Sequence, residues 1–151
     1  MARLDCGFLD TENMSAYGSL IQHGPTVQVN VGFDAQYNPD NNTTPSLAEN
    51  TILALVDTGA SESSIDAELA ENLQLPKVDK TTISTASGVA TVDLHLGHIY
   101  IPALSWTIYG KFAGVNLAAG GQHHLILLGR DFLQRMTMIY DGPTGAVTIL
   151  T

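Results

Sequence analysis

Five apolar residues at positions 52–56 (ILALV) lead directly into Asp57, and this junction constrains the fold more than any other stretch. A short apolar run bounded by turn residues is typical of a buried strand. A carboxylate at the end of such a strand is costly unless it is partnered or used. The junction therefore predicts either an acid delivered to a functional site or a structural acid that caps the following turn.

The composition favours a β-rich single domain. A chain of 151 residues fits one domain, and 44% apolar residues suffice for a core. Charged residues make up only 14%, well below the roughly 25% of ordinary globular proteins. With 14 glycines the chain favours strands and turns over exposed helices.

The charge balance argues against two classes of partner. The net charge is −9, and six Lys and Arg residues cannot form a stripe that neutralises phosphates. We therefore expect neither nucleic acid nor an anionic membrane surface as a partner. No apolar run reaches the ~18 residues of a membrane span, and no signal-peptide core is present, so a cytoplasmic protein is expected. The single cysteine, Cys6, excludes a disulfide within the chain.

The first half of the chain reads as an irregular arm followed by one domain. Residues 1–23 show no steady period and are expected to form an N-terminal arm or irregular lead-in. Residues 24–151 form the predicted domain. It opens with the alternating apolar residues of a half-buried strand at 24–33. A polar loop rich in Asn, Asp and Pro follows at 34–50.

The best helix signal lies at residues 63–76. Apolar residues Ile65, Leu69 and Leu73 follow the spacing of one helix face. Ser63 or Ser64 is the expected N-cap, and Pro76 is expected to end the helix.

The second half predicts hairpins around one more short helix. Residues 80–97 read as two strands around a tip at Ala86, Ser87 and Gly88. Residues 98–115 add strands, 125–136 read as an apolar strand, a glycine and a short helix, and 137–150 read as a hairpin. The expected class is all-β with one or two short helices.

Two motifs carry a resemblance to a known family. The segments "ALVDTGAS" (54–61) and "LILLGRDFL" (125–133) resemble the two signature motifs of the retroviral-type aspartic proteases, the retropepsins. Their cellular relatives in bacteria and eukaryotes look closer still. The resemblance covers about residues 25–150. It implies a single-lobe, closed β-barrel-like acid-protease fold, completed by homodimerisation, that works as an aspartic endopeptidase.

The chemistry of that family requires more than one chain of this kind. Hydrolysis by aspartic acids uses two carboxylates that share one proton across a bound water. One acts as general base and the other polarises the peptide carbonyl. This chain contains one Asp-Thr-Gly, so a homodimer is expected, with Asp57 from each copy. An extended peptide or unfolded protein is the expected substrate, and no cofactor is implied.

The resemblance also assigns roles around Asp57. Thr58 is expected to hydrogen-bond across the dimer and hold both carboxylates. Gly59 lets the main chain bend and approach the substrate. Ala60 stands where pepsin-like enzymes carry a hydroxyl that hydrogen-bonds the carboxylate, so a less acidic optimum than theirs is implied.

Other family positions are expected to bind substrate or support the catalytic loop. Gly59, Ser61 and a flap tip formed by Ala86, Ser87 and Gly88 would contact the substrate. Leu128, Gly129 and Arg130 are expected to be structural, with Glu62 as the partner of Arg130. The final strand, residues 146–150, is expected to pair across the dimer as terminal strands do in the viral family.

The sequence bears on three other interpretations: a metal site, a serine hydrolase and a non-catalytic module. His95 and His98 face opposite sides of a strand, while His123 and His124 are neighbours in a loop, so no metal site is expected. The segment GASES lacks the last glycine of a serine-hydrolase elbow. The alternative from another class is a non-cleaving retropepsin-like module that dimerises or binds peptides.

Overall fold

Strands dominate the molecule. The computed structural model describes all 151 residues and contains ten strands, three short α-helices and two 3-10 turns, Pro39–Asn41 and Pro102–Leu104. The strands are β1 (Arg3–Asp5), β2 (Thr26–Gly32), β3 (Ile52–Val56), β4 (Ser64–Asp66), β5 (Lys77–Thr85), β6 (Gly88–Ile101), β7 (Trp106–Val115), β8 (Ile126–Leu128), β9 (Thr137–Asp141) and β10 (Ala146–Leu150). The helices are α1 (Ala16–His23), α2 (Ala67–Asn72) and α3 (Arg130–Leu133). None of these helices has the length and apolar character needed to cross a membrane.

The larger sheet closes on itself. Its seven strands follow the order β2-β3-β8-β4-β7-β6-β5, and β2 also pairs with β6. Six strands therefore form a closed barrel, and β5 is attached outside it through β6 alone. The pairs β3–β8 and β4–β7 are parallel, and the other pairs are antiparallel. The predicted closed, barrel-like, mostly β fold is confirmed.

The barrel surrounds one apolar core. The alternating valines of β2 (Val27, Val29 and Val31) all point inward, at 1–2% exposure. They share one apolar cluster with fully buried residues of other strands, among them Ile99 of β6 and Ile126 and Leu128 of β8. Period-2 alternation thus marked the half-buried β2, and the short apolar run marked β3.

The N-terminal segment is ordered rather than irregular. Residues 1–23 contain β1 and α1, and they contribute Leu4, Cys6 and Leu20 to the core. The prediction of an irregular lead-in was therefore wrong. A three-residue strand and a two-turn helix are too short to produce a recognisable period in the sequence. The domain boundary placed at residue 24 stays a prediction. Burial raises the pKa of the Cys6 thiol to about 11.

The smaller sheet has the order β1-β10-β9. Its central strand β10 pairs with β1 through Leu4 and Ile149, and with β9 through Tyr140 and Val147. Both edges of β10 are therefore occupied within the same chain. The expectation that residues 146–150 pair across a dimer is wrong, because the N-terminal segment already fills that edge.

The helix predicted at 63–76 begins later and is shorter. Residues 64–66 form β4, which pairs with β7 and β8 on its two sides. The N-cap of α2 is Asp66, whose Oδ2 accepts the Leu69 N–H at 3.1 Å, and neither Ser63 nor Ser64 caps it. Ile65 falls on the helical row only by coincidence, since it points into the barrel from a strand.

The hairpin predicted at 80–97 is present and longer than expected. Strands β5 and β6 pair from Lys77 to the tip, where Thr85 faces Gly88. The register shifts between Lys77 and Asp79, so Val78 is an extra residue at the base of the hairpin. Beyond this hairpin, β6 continues into the barrel and pairs with β7 and β2.

Candidate active site

Asp57 lies at the end of β3, between two neighbouring strands. Its N–H donates to the Leu128 carbonyl at 2.9 Å, which extends the β3–β8 ladder by one residue. The preceding Val56 N–H donates to the Pro25 carbonyl at 2.9 Å, at the start of β2. Because strands on both sides hold the main chain, the half-buried carboxylate emerges at a defined point.

The carboxylate is held by its own turn. Asp57 Oδ1 accepts the Gly59 N–H at 2.9 Å, and the Asp57 carbonyl accepts the Ala60 N–H at 3.2 Å. A Cβ on Gly59 would lie 3.1 Å from Oδ1, so glycine allows this close approach. Asp57 Oδ2 accepts no hydrogen bond within the chain, and no Lys or Arg pairs with Asp57.

The second motif is joined to the first by main-chain hydrogen bonds. The Arg130 N–H donates to the Ala60 carbonyl at 2.9 Å, and the Asp131 N–H to the Ser61 carbonyl at 3.2 Å. At Gly129 the two segments touch: a Cβ there would lie 2.8–2.9 Å from backbone atoms of Glu62 and Ala60. Glycine is therefore required at position 129 by close approach.

A hydrogen-bond network that the sequence did not reveal supports this junction. Asp131 accepts from Ser63 twice, from its N–H at 3.0 Å and from its hydroxyl at 2.7 Å. The Ser63 Oγ in turn accepts the Gly129 N–H at 3.0 Å. Asp131 Oδ1 also accepts the Phe132 N–H at 2.8 Å, within the first turn of α3. An acid in the first turn of a helix was the one available signal.

A cleft of about 480 Å³ opens beside this loop. One wall is formed by residues 59–64, which follow Asp57, and the other by residues 81–84 of β5. Ala113 and Val115 of β7 also line it. Of the predicted substrate-binding residues, Gly59 and Ser61 line the cleft, while the hairpin tip lies beyond its lining.

The hairpin tip is exposed and makes few contacts. Ala86, Ser87 and Gly88 are all exposed to solvent. Gly88 has φ +123°, a conformation that favours glycine, and the Thr85 hydroxyl donates to its carbonyl at 2.9 Å. The tip therefore depends on local turn geometry rather than on packing against the barrel.

The chain matches a known protein family over more than half of its length. The model of a family described as gag-polyprotein putative aspartyl protease matches residues 44–135, more than half of the chain and both motifs. The chain belongs to this family. No curated protein sequence matches it.

A solved bacterial structure shows that this aspartyl protease family member has the retropepsin-like fold. A retropepsin-like aspartic protease from Rickettsia conorii aligns with a TM-score of 0.54 at 18% identity, covering 98% of this chain and 89% of that one. The EIAV protease in complex with the inhibitor HBY-793 gives 0.44 at 21% identity, covering 73% and 85%. The simian foamy virus protease gives 0.45 at 11% identity, covering 72% and 91%.

The prediction that Glu62 pairs with Arg130 is wrong. Glu62 is exposed and forms no ion pair, whereas Arg130 Nη1 donates to the Thr58 carbonyl at 2.8 Å. The arginine thus supports the Asp57–Ala60 turn through a main-chain oxygen. The acid that supports the junction of the two motifs is Asp131, which the second motif itself supplies. Thr58 is exposed, and its proposed bond across a dimer stays a prediction.

The histidines of this family member have structural contacts. His98 stacks on Tyr109 at 4.6 Å between ring centroids, and its Nδ1 accepts the Asp34 N–H at 3.2 Å. Burial lowers the pKa of His98. His124 Nε2 lies 2.8 Å from the Thr26 hydroxyl, and burial lowers its pKa as well. No group of three or more His, Cys, Asp or Glu side chains is arranged to hold a metal ion.

Proposed function

We propose that this protein is an aspartic endopeptidase that cleaves internal peptide bonds as a homodimer. The observation that carries the proposal is the half-buried Asp57 carboxylate, which directly precedes the loop that lines the cleft, with Oδ2 unbonded and no ion pair to a Lys or Arg. In a purely structural turn acid both carboxylate oxygens would accept backbone hydrogen bonds. In Asp57 only Oδ1 does, so Oδ2 is available to bind a water molecule. Family membership supports the same conclusion.

The proposed reaction uses one Asp57 from each copy. The ionised carboxylate removes a proton from the shared water, and the water oxygen attacks the peptide carbonyl carbon. The protonated carboxylate of the other copy donates its proton to the carbonyl oxygen. Transfer of a proton to the amide nitrogen then breaks the carbon–nitrogen bond. Two like charges at close range cannot both ionise, which keeps one carboxyl protonated.

The cleft supports an extended polypeptide as the substrate. It lies between the catalytic loop and β5, an edge strand that pairs only with β6. A peptide can add to such an edge as a further strand, bound mainly through its main chain. Closure of the hairpin, acting as a flap, would then exclude water from the reacting bond.

The test compares wild type with Asp57→Asn on a mixture of denatured proteins. Loss of the acid–base group predicts a fall in cleavage rate of at least about a hundredfold, with an unchanged circular dichroism spectrum. Asp40→Asn is the matched control, since Asp40 is exposed and its side chain accepts no hydrogen bond. Aspartic-protease inhibitors should compete with substrate for the wild type.

Two outcomes would contradict the proposal. Intact substrate at every pH from about 3 to 8, with equal peptide binding by wild type and Asp57→Asn, would instead support the non-cleaving, peptide-binding module. Full activity of a species that light scattering identifies as a monomer would remove the two-copy mechanism.

A further inference from the structure

Three of the five histidines of the chain meet at one cavity away from the cleft beside Asp57. The cavity has a volume of about 320 Å³ and is lined by Phe8, His23, Thr26, Leu53, His123 and His124. It shares no residue with the cleft. A ligand bound in this cavity would therefore be separate from a polypeptide bound in the cleft.

Two of these histidine rings are free to bind a ligand. The ring centroids of His23 and His123 are 6.4 Å apart, and that of His23 is 5.9 Å from the Phe8 ring. His23 is half-buried and His123 is exposed. Neither ring makes a hydrogen bond within the chain, unlike the ring of His124. Each of the two rings therefore has an N–H group that can donate to a ligand.

The buried ring of His124 is hydrogen-bonded in a way that suits its protonated form. Gln122 Oε1 accepts the His123 N–H at 3.1 Å, and this oxygen also accepts from His124 Nδ1 at 3.0 Å. His124 Nε2 lies 2.8 Å from the Thr26 hydroxyl, which in turn lies 3.0 Å from the Gly24 carbonyl. When Nε2 is neutral, the hydroxyl donates to it. When Nε2 is protonated, it donates to the hydroxyl, and the hydroxyl donates to the carbonyl. Both forms of the ring thus keep their hydrogen bonds.

The cavity adjoins an apolar groove. This groove has a volume of about 450 Å³ and shares Phe8, Thr26 and Leu53 with the cavity. Most of its other lining residues are apolar, among them Leu4, Val27, Pro102 and Ala103. The side chain of Leu53 is 40% exposed between the two spaces. An elongated ligand with one polar end can therefore occupy the cavity and the groove together.

The histidines have no counter-ion. None of the six lining residues of the cavity is Asp, Glu, Lys or Arg. The adjoining groove has one charged residue, Asp5, whose carboxylate is paired with Arg3 at 2.9 Å. Burial lowers the pKa of His124, and the nearby charges of His23 and His123 lower it further. An anion from outside the chain would offset this repulsion.

We infer that this cavity binds a small carboxylate with an apolar body. The carboxylate accepts hydrogen bonds from the rings of His23 and His123, and it lies close to the ring of His124 when that ring is protonated. The apolar body covers Phe8 and Leu53. Because the histidines must be protonated to attract the anion, binding is strongest at mildly acidic pH. A zinc ion would find only two free histidines here, since both nitrogens of His124 are already hydrogen-bonded.

Hexanoate is the probe, and calorimetry on the full chain measures its binding. At about pH 6, hexanoate should bind at least about tenfold more tightly than acetate, because each buried CH₂ group adds to affinity. It should also bind at least about tenfold more tightly than hexan-1-ol, which lacks the charge. Its affinity should fall about tenfold between pH 6 and pH 8, as the imidazoles lose their protons.

Three results of this titration would overturn the inference. Equal binding of hexan-1-ol and hexanoate, or affinity that does not change with pH, would show that charge plays no part. Acetate or inorganic phosphate that binds as tightly as hexanoate would show that the apolar body plays no part. No binding of hexanoate at millimolar concentrations would exclude the site.

Substitutions locate the binding site. His123→Gln removes an exposed ring that makes no hydrogen bond, so the dissociation constant of hexanoate should rise about fivefold. Lys111→Gln is the matched control, since it removes one exposed, unpaired cation from β7. Leu53→Glu supplies a carboxylate tethered inside the cavity and should abolish hexanoate binding, whereas Leu53→Gln should retain most of it. Circular dichroism checks that each variant folds. Binding that is equal in Leu53→Glu and Leu53→Gln would contradict the inference.

Nuclear magnetic resonance of the imidazole groups supplies an independent readout. Because binding and protonation are linked, hexanoate should move the titration midpoint of His124 to higher pH. A His124 signal that does not respond while hexanoate binds would place the ligand elsewhere and overturn the inference. Asp57→Asn should bind hexanoate as wild type does. The carboxylate site and the proposed peptidase activity therefore stand or fall separately.

Discussion

The catalytic loop and the hairpin that faces it are built in opposite ways. The loop is fixed by main-chain bonds between the two motifs and by the Ser63–Asp131 pair, with no space for a Cβ at Gly129. The hairpin is held by its own ladder and by exposed ion pairs of Lys77 and Lys80 with Asp93, which contribute little. The molecule therefore combines a firmly held loop after Asp57 with a hairpin that depends on its own local contacts.

The largest expected effect comes from filling the tightest contact of the loop. Gly129→Ala places a methyl group against the backbone of residues 60–62. We expect the unfolding free energy to fall by about 1–3 kcal/mol or more, and the cleavage activity to be lost with it. Denaturant titration and a cleavage assay measure both. Gly110→Ala is the control, because a Cβ there meets nothing within 4 Å. Equal effects of the two variants would show that the close contact does not matter.

Breaking the Asp131 network should cost somewhat less. Asp131→Asn leaves donors of Ser63 facing an amide, so we expect a loss of about 1–3 kcal/mol in unfolding free energy. Glu62→Gln should change that free energy by less than about 0.5 kcal/mol, because Glu62 pairs with nothing. Thermal unfolding of both variants compares the two acids directly. A larger loss of unfolding free energy for Glu62→Gln than for Asp131→Asn would contradict this, and would instead support an ion pair between Glu62 and Arg130.

A substitution in the hairpin should lower the cleavage rate with little loss of stability, in contrast to the loop variants. Gly88→Ala introduces a side chain at φ +123°, a strain of about 1–3 kcal/mol that the tip can relieve by fraying. We expect little change in the melting temperature but a lower cleavage rate and faster amide exchange at residues 83–92. Ala86→Ser, at an unstrained position, is the control. A cooperative loss of global stability would mean that the hairpin is not independent of the barrel.

The smallest expected effect is a pH dependence of stability that arises from His98, in the part of β6 that belongs to the barrel. Burial lowers the pKa of His98 below its ordinary value of 6.5, so the unfolded chain takes up the proton more readily than the folded chain. The stability from neutral His98 is full above that value and falls as pH drops through it. Melting temperature should therefore decline modestly on acidification, while amide exchange in the hairpin should not change in parallel.

A matched variant isolates this histidine. His98→Phe keeps a ring against Tyr109 and cannot titrate, so the decline should become shallower. Part of the slope should remain, because burial also lowers the pKa of His124. An unchanged slope in His98→Phe would assign the whole effect to other groups.

The sequence predicted the parts of the site that depend on local pattern. The apolar run before Asp57, the alternation of β2 and the glycine-tipped hairpin each produce a period or a turn signal over a few residues. The two family motifs could be placed in order for the same reason, and the structure brings them into contact.

What escaped prediction depends on partners distant in the sequence. Ser63 and Asp131 are 68 positions apart, and nothing near either residue indicates the bond between them. Ile65 fits a helical spacing in the sequence, yet its backbone pairs with β7 and β8, and this pairing makes it part of a strand. The occupied edges of β10 follow only from β1, which is too short to be seen as a strand.

The extra residue Val78 at the base of the hairpin has a mechanical consequence. A bulge weakens the local ladder and increases twist, so a two-stranded ribbon bends there more easily than elsewhere. If the hairpin acts as the proposed flap, bending at this bulge would open the cleft without the melting of a strand. We expect the bending stiffness of this ribbon to set how quickly a cleaved chain escapes, and thereby the turnover number.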